Sequence, residues 1–210
     1  MKYRLTFIFL LIFTLTSFAQ SGIKVACVGN SITEGARIEA GKKYPEQLQT
    51  LLGETYEVRN YGIGGRTLLK KGDYPYWKEA KYQEVLQWQP DVVVIKLGTN
   101  DSKPQNWKHK ADFKKDYVRF IKSFKKLPNH PKVYICKPMP AYYENFTINP
   151  EVIKNEMLPL IDVIAKKTKV QVIDLYTPML GKNSLAPDGI HPNADGTAIL
   201  ANEVYKVIRK

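Results

Sequence analysis

Apolar, β-branched runs alternate along this chain with stretches whose apolar residues recur every three or four positions. Ile23–Val28 is apolar except for Lys24. Asp91–Leu97 contains Val92-Val93-Val94-Ile95, the strongest β pattern in the chain, and Lys132–Cys136 and Val170–Leu175 repeat it more briefly. Runs this continuously apolar belong to a parallel sheet covered on both faces. Tyr56–Asn60 alternates instead, which predicts a fifth strand nearer an edge. The helical stretches lie between these runs. Pro45–Leu52 places Leu48, Leu51 and Leu52 at helical spacing, and Gly53 ends it. Ala111–Lys126 carries Phe113, Tyr117, Phe120, Ile121 and Phe124 on one stripe. Val152–Lys167 repeats the pattern, with Pro159 predicting a kink or two helices. Ala194–Ile208 closes the chain. Strand–helix alternation of this kind implies right-handed βαβ crossovers and a doubly wound α/β sheet.

Four short polar motifs interrupt the pattern in a fixed order. They are Gly29-Asn30-Ser31-Ile32-Thr33, Asn60-Tyr61-Gly62-Ile63-Gly64-Gly65, Gly98-Thr99-Asn100-Asp101 and Asp188-Gly189-Ile190-His191-Pro192. The first three directly follow strand candidates, and the fourth follows the fifth strand after a loop. In an open α/β sheet ligands bind outside the carboxyl ends of the strands, so all four converge on one edge. A serine hydroxyl needs a base to become a nucleophile, and the imidazole of His191 can be that base. Asp188, three residues earlier, can bond the other ring nitrogen, fix the tautomer and stabilise the imidazolium. A glycine N–H and an Asn amide suit a developing oxyanion, where losing one donor costs ~3 kcal/mol. Each motif alone has an ordinary explanation. Ser31-Ile32-Thr33-Glu34 reads as a helix capping box, Gly62 to Gly65 as a turn, and Asp188-Gly189 as another.

The N-terminus changes the picture of where the protein works. Lys2 and Arg4 precede an apolar stretch, Leu5–Phe18, and Ser17-Phe18-Ala19 supplies small residues for cleavage. The stretch falls short of the ~20 apolar residues of a membrane span. We therefore expect an export signal over 1–20 and one domain over 21–210, with a periplasmic or extracellular location and no stable membrane insertion after the signal is removed. The formal charge is +12, two units of which belong to the leader. The lysines are scattered along helix candidates and read as a solvated face, or as attraction to an acidic polymer. No nucleic-acid-binding motif is present. Cys27 and Cys136 lie on strands that are not neighbours, which predicts buried free thiols rather than a disulfide. The chain has three histidines, His109, His130 and His191, and no spacing of ligand residues that calls for a metal or other cofactor.

Taken together, the four motifs resemble the sequence blocks of the SGNH (GDSL-type) hydrolases over nearly the whole of 21–210. The resemblance implies a flavodoxin-like three-layer α/β/α sandwich with a five-stranded parallel sheet. It implies Ser31 as nucleophile, His191 as base and Asp188 as its orienter. It also implies that Gly65 and Asn100, with the Ser31 amide, form the oxyanion hole, although Gly62 and Gly64 compete with Gly65 for that role. Asn30 stands where the family usually has Asp. The G-x-S-x-G elbow of the α/β-hydrolases is missing.

Aromatic residues fill the loops at the same edge. Tyr74, Tyr76 and Trp77 follow the glycine motif, Trp107 follows Gly98-Thr99-Asn100-Asp101, and Tyr142, Tyr143 and Phe146 follow the fourth strand. Trp77 and Trp107 are the candidate sugar-stacking residues; packing of the loops onto helices is the competing account. The chain looks like the bacterial carbohydrate O-acetylesterases of the family. The expected reaction is hydrolysis of acetyl esters on glycans or small acetyl esters through an acyl-Ser31 intermediate. A lysophospholipase or thioesterase would use the same groups. A non-catalytic glycan-binding module or a nucleotide-binding flavodoxin-like protein would not need them, and no phosphate loop is evident.

Overall fold

The structure, a computed structural model, describes residues 22–209. The predicted export signal over 1–20 lies outside the described residues. Five strands form one sheet: β1 (Ile23–Gly29), β2 (Tyr56–Gly62), β3 (Val92–Lys96), β4 (Lys132–Lys137) and β5 (Gln171–Asp174). Every pair is parallel, and the order across the sheet is β2-β1-β3-β4-β5. This is the flavodoxin-like order, whose switch point lies beside the first strand.

The helices cover both faces. They are α1 (Ser31–Glu34), α2 (Tyr44–Leu52), α3 (Ala80–Trp88), α4 (Pro104–Trp107), α5 (Lys110–Lys125), α6 (Leu158–Thr168) and α7 (Ala194–Ile208). Successive strand residues point to opposite faces, so each strand feeds two cores. Ala26, Val28, Val93 and Ile95 pack with Phe113, Phe120 and Phe124 of α5 and with Ile161 and Ile164 of α6. Val25, Cys27, Val92 and Val94 pack with Leu48 of α2 and with Leu200 and Val204 of α7. Glu57 and Arg59 break the apolar pattern on β2 because that strand is an edge, with both side chains exposed. Cys27 and Cys136 are buried free thiols on strands separated by β3, and burial pushes the Cys27 thiol up to about 12.

The predicted break at Pro159 is present. Val152–Met157 forms a wide π-type turn, and α6 begins at Leu158 with the proline in its first turn, where no N–H is needed. Strand register then sets the site. Gly62, Gly29 and Lys96 stand level in one row across β2, β1 and β3. The segments leaving these three strands are the first three motifs, so they start side by side.

Candidate active site

Ser31 leaves β1 two residues past its end, at the first position of α1. The cap of that short helix is Asn30, whose Oδ1 accepts from the Ile32 N–H at 3.2 Å, and not Ser31 as a capping-box reading would have it. The Ser31 hydroxyl is thereby left free for other work. Gly29 is required for this turn, because a Cβ there would overlap the Thr33 hydroxyl. Asn30 is itself held from below. Lys96, at the end of β3 and 1% exposed, donates from Nζ to Asn30 Oδ1 at 3.3 Å and to Thr99 Oγ1 at 3.4 Å. Burial lowers the Lys96 ammonium from 10.5 to about 7.

His191 reaches Ser31 across 160 residues of chain. Its Nε2 lies 2.8 Å from Ser31 Oγ, and its Nδ1 lies 2.7 Å from Asp188 Oδ2. Asp188 Oδ1 accepts from the backbone N–H groups of Ile190 at 3.0 Å and His191 at 2.7 Å. Burial acts to raise the Asp188 carboxyl, but these donors and the imidazole outweigh it and hold it below its ordinary value. An ionised Asp188 keeps the proton on Nδ1, so Nε2 is free to accept from the serine hydroxyl. Arg37, with its side chain 73% exposed, adds a weak solvent-screened contact of 3.5 Å to Asp188 Oδ2.

The facing wall is built from the second and third motifs, and the two are tied together. Asn100 donates from Nδ2 to the Arg66 carbonyl at 3.1 Å. Asp101, fully buried, accepts from the Leu68 N–H at 3.0 Å and the Leu69 N–H at 2.7 Å. Arg66 bonds the Gly64 carbonyl at 2.7 Å and Glu79 at 2.9 Å. Gly65 turns between these anchors with φ +77°, a conformation that favours glycine. Of the three candidate glycines, Gly62 gives its N–H to Asn60 Oδ1 at 2.9 Å, whereas Gly65 lines the cavity with Ser31, Asn100 and His191. That cavity has a volume of about 630 Å³, and Ile32, Ile38, Ile148 and Pro192 supply apolar parts of its wall.

The structure thus brings together Ser31, Asp188, His191, Gly65 and Asn100. It does not bring Trp77 or Trp107 to the cavity. Trp77 donates its indole N–H to the Leu68 carbonyl at 2.7 Å and packs on Phe120 and Tyr82. Trp107 is buried against Phe113. Both rings gain more from closing their loops onto α5 than from standing in water. The aromatic residue that does line the cavity is Phe146. Asp101 and Lys96 were also beyond a motif reading that treats Asn100-Asp101 as a loop start. The available signals were an acid following the Asn, and a lysine closing an otherwise apolar central strand. His130 is exposed, and His109 lies away from the site on the loop before α5. Among the described residues no helix is long and apolar enough to cross a membrane.

In chemical terms the arrangement offers a hydroxyl aligned with an imidazole, an anion behind that imidazole, and N–H donors opposite. This is equipment for acyl transfer. Comparison with known proteins agrees with the geometry. An acetylxylan esterase of Xylanibacter ruminicola is 40% identical over 90% of this chain, and the chain spans 44% of that protein's length. The structure of an acetyl xylan esterase, AlAXEase, superposes with a TM-score of 0.71 at 26% identity, covering 89% of this chain and 100% of that one. An aryl esterase of M. smegmatis gives a TM-score of 0.72 at 19% identity over 89% of this chain and 98% of its own, a likeness of fold. The model of the GDSL-like lipase/acylhydrolase family matches residues 27–199. With that match and the four motifs in place around one cavity, the chain belongs to the GDSL-like lipase/acylhydrolase family.

Proposed function

We propose that this protein is a serine esterase that removes O-acetyl groups from carbohydrates. The observation that carries the reading is the continuous Ser31–His191–Asp188 relay opening onto a cavity walled by Gly65 and Asn100. Ser31 Oγ attacks the acetyl carbonyl while His191 Nε2 takes its proton. The carbonyl oxygen becomes an oxyanion that accepts from the N–H groups of Ser31 and Gly65 and from the Asn100 amide. Collapse breaks the bond to the sugar oxygen, which leaves with the proton from His191. Water then attacks the acetyl-Ser31 carbonyl by the same route and releases acetate. Asp188 stays ionised throughout and stabilises the imidazolium.

The choice of an acetylated glycan is supported by the Xylanibacter ruminicola relative and by the AlAXEase structure. Acetate release from acetylated xylan by the wild type, lost in Ser31→Ala, is the test. A wild type with no release from any acetylated glycan would overturn the reading. One observation favours longer acyl chains as a second reading: the cavity exceeds the room an acetyl group needs, and part of its wall is apolar. Faster turnover of 4-nitrophenyl octanoate than of 4-nitrophenyl acetate would establish it. We further propose that the protein is exported, on the pattern of Lys2, Arg4 and Leu5–Phe18. Detection of the full-length, uncleaved chain in the cytoplasm of its cell would overturn that.

A further inference from the structure

The loop between β4 and the π-type turn contains a backbone arrangement that its own residues do not favour. The Ile148 N–H donates to the Asn145 carbonyl at 2.9 Å, closing a tight turn around Phe146 and Thr147. Both central residues are left-handed, with φ +51° and +59°. Turns of this kind favour Asn-Gly pairs. Here neither residue is glycine, and Thr147 is β-branched, for which the left-handed region is a true outlier. Such strain persists only where surrounding structure over-determines it.

The surroundings do so. Asn145 Nδ2 donates to the Asp188 carbonyl at 2.9 Å, and Asn145 Oδ1 accepts from the Phe146 N–H at 2.9 Å. The Tyr142 N–H donates to the Gly189 carbonyl at 2.9 Å, and the Tyr143 hydroxyl donates to the Pro187 carbonyl at 3.2 Å. Ile148 is buried with Ile153 and Ile190. The turn is therefore clamped onto the segment that carries Asp188 and His191. Its product is the placement of one ring. Phe146 lines the cavity, with its centroid 5.6 Å from that of His191 and the planes at 65°, yet it remains 46% exposed. Hydrophobic burial does not account for a large apolar ring held half in water by a strained turn. Tyr143, the other exposed ring of this loop, is accounted for by its hydroxyl bond and its packing on Gly189.

We propose that Phe146 is the stacking platform for a pyranose ring of the substrate. This rests on the carbohydrate-esterase reading and names the subsite that would deliver the ester to Ser31. A pyranose presents C–H groups on its face and hydroxyls around its edge, and a half-exposed aromatic at a cavity mouth matches that division. Lys103, on the same cavity, offers donors to the hydroxyl edge. A buried alkyl tail would call for an enclosed wall at this position instead.

The test compares kcat/KM for acetylated xylooligosaccharides with kcat/KM for 4-nitrophenyl acetate, which has no sugar. Phe146→Ala should lower the ratio of the two by about three- to tenfold, and Phe146→Tyr should restore it to within twofold of wild type. A ratio protects the comparison from partial misfolding, because both substrates report on the same active molecules. An unchanged ratio in Phe146→Ala would overturn the platform and leave the esterase reading standing. A wild type that cleaves 4-nitrophenyl acetate but releases no acetate from the oligosaccharides would overturn both.

Discussion

Replacement of Lys96 by methionine is expected to stabilise the protein, and to do so more in acid than in alkali. Methionine keeps the length of the side chain and removes its charge. A lysine that loses its proton near pH 7 rather than at 10.5 carries a burial cost of roughly 4–5 kcal/mol while charged. The two hydrogen bonds that the ammonium donates, to Asn30 Oδ1 and Thr99 Oγ1, are lost in exchange, at about 1–1.5 kcal/mol each given their length. The net expectation at pH 6 is a gain of about 2 kcal/mol. The pH dependence follows from proton counting. Below pH 7 both the folded and the unfolded wild type hold the proton, so the burial cost is fully present. Between pH 7 and 10.5 the unfolded chain holds a proton that the folded one has released, so wild-type stability climbs with pH. The Lys96→Met variant lacks this climb, and the gap between the two proteins narrows through that window. Urea unfolding at pH 6 and pH 9.5, read by midpoint at constant m, measures it. The same gap at both values would show that Lys96 does not titrate in the window. A variant less stable than wild type at pH 6 would show that its hydrogen bonds outweigh its burial. Esterase turnover should fall several-fold even as stability rises, because Asn30 loses the donor beneath the nucleophile turn.

Other changes have equally definite outcomes. Asp188→Asn leaves the fold intact but favours the wrong tautomer of His191, and kcat on 4-nitrophenyl acetate should fall by about 10³–10⁴. Asn100→Ala removes one oxyanion donor and should lower kcat by about 10²–10³ with little change in KM. Asp101→Ala leaves the Leu68 and Leu69 N–H groups buried without acceptors. It should cost about 2–4 kcal/mol in denaturant unfolding, with kcat falling as Gly65 loses its anchor. Thr147→Gly relieves a left-handed β-branched residue and should raise the unfolding free energy by about 1 kcal/mol; a decrease would show that the turn is not strained.

Much of this site is legible in the chain itself. Continuous apolar runs at Ile23–Val28 and Val92–Ile95 indicate central parallel strands, and a parallel sheet sends its loops to one edge. That topology carries Ser31, Asn100 and His191 to the edge, whereas the choice of Gly65 over Gly62 and Gly64 comes from the family resemblance. What resists reading is the choice each loop side chain makes between solvent and core. Trp77 and Trp107 carry the pattern of sugar-binding residues, but α5 presents Phe113 and Phe120 within reach, and burial wins. Phe146 stands among the loop aromatics at the same edge, but nothing in the sequence singles it out from Tyr142 and Tyr143. Its position depends on a double left-handed turn that Phe-Thr does not advertise, imposed by Asn145 and Tyr142 bonding to a segment more than 40 residues away. Asp101 and Lys96 are invisible for a related reason: their partners are backbone amides and a neutral amide, and neither leaves a paired charge in the sequence to be noticed.

The bond between Ser31 and His191 joins the first loop of the domain to its last, and α7 packs back against α2. A chain emerging from the ribosome therefore holds all five strands and most of both cores before the imidazole can arrive. Loop closure over such a distance is among the slower steps available to a domain of this size. Regain of turnover should lag behind recovery of backbone circular dichroism during refolding, so the enzyme's own chemistry serves as a clock for the final docking of its C-terminal helix.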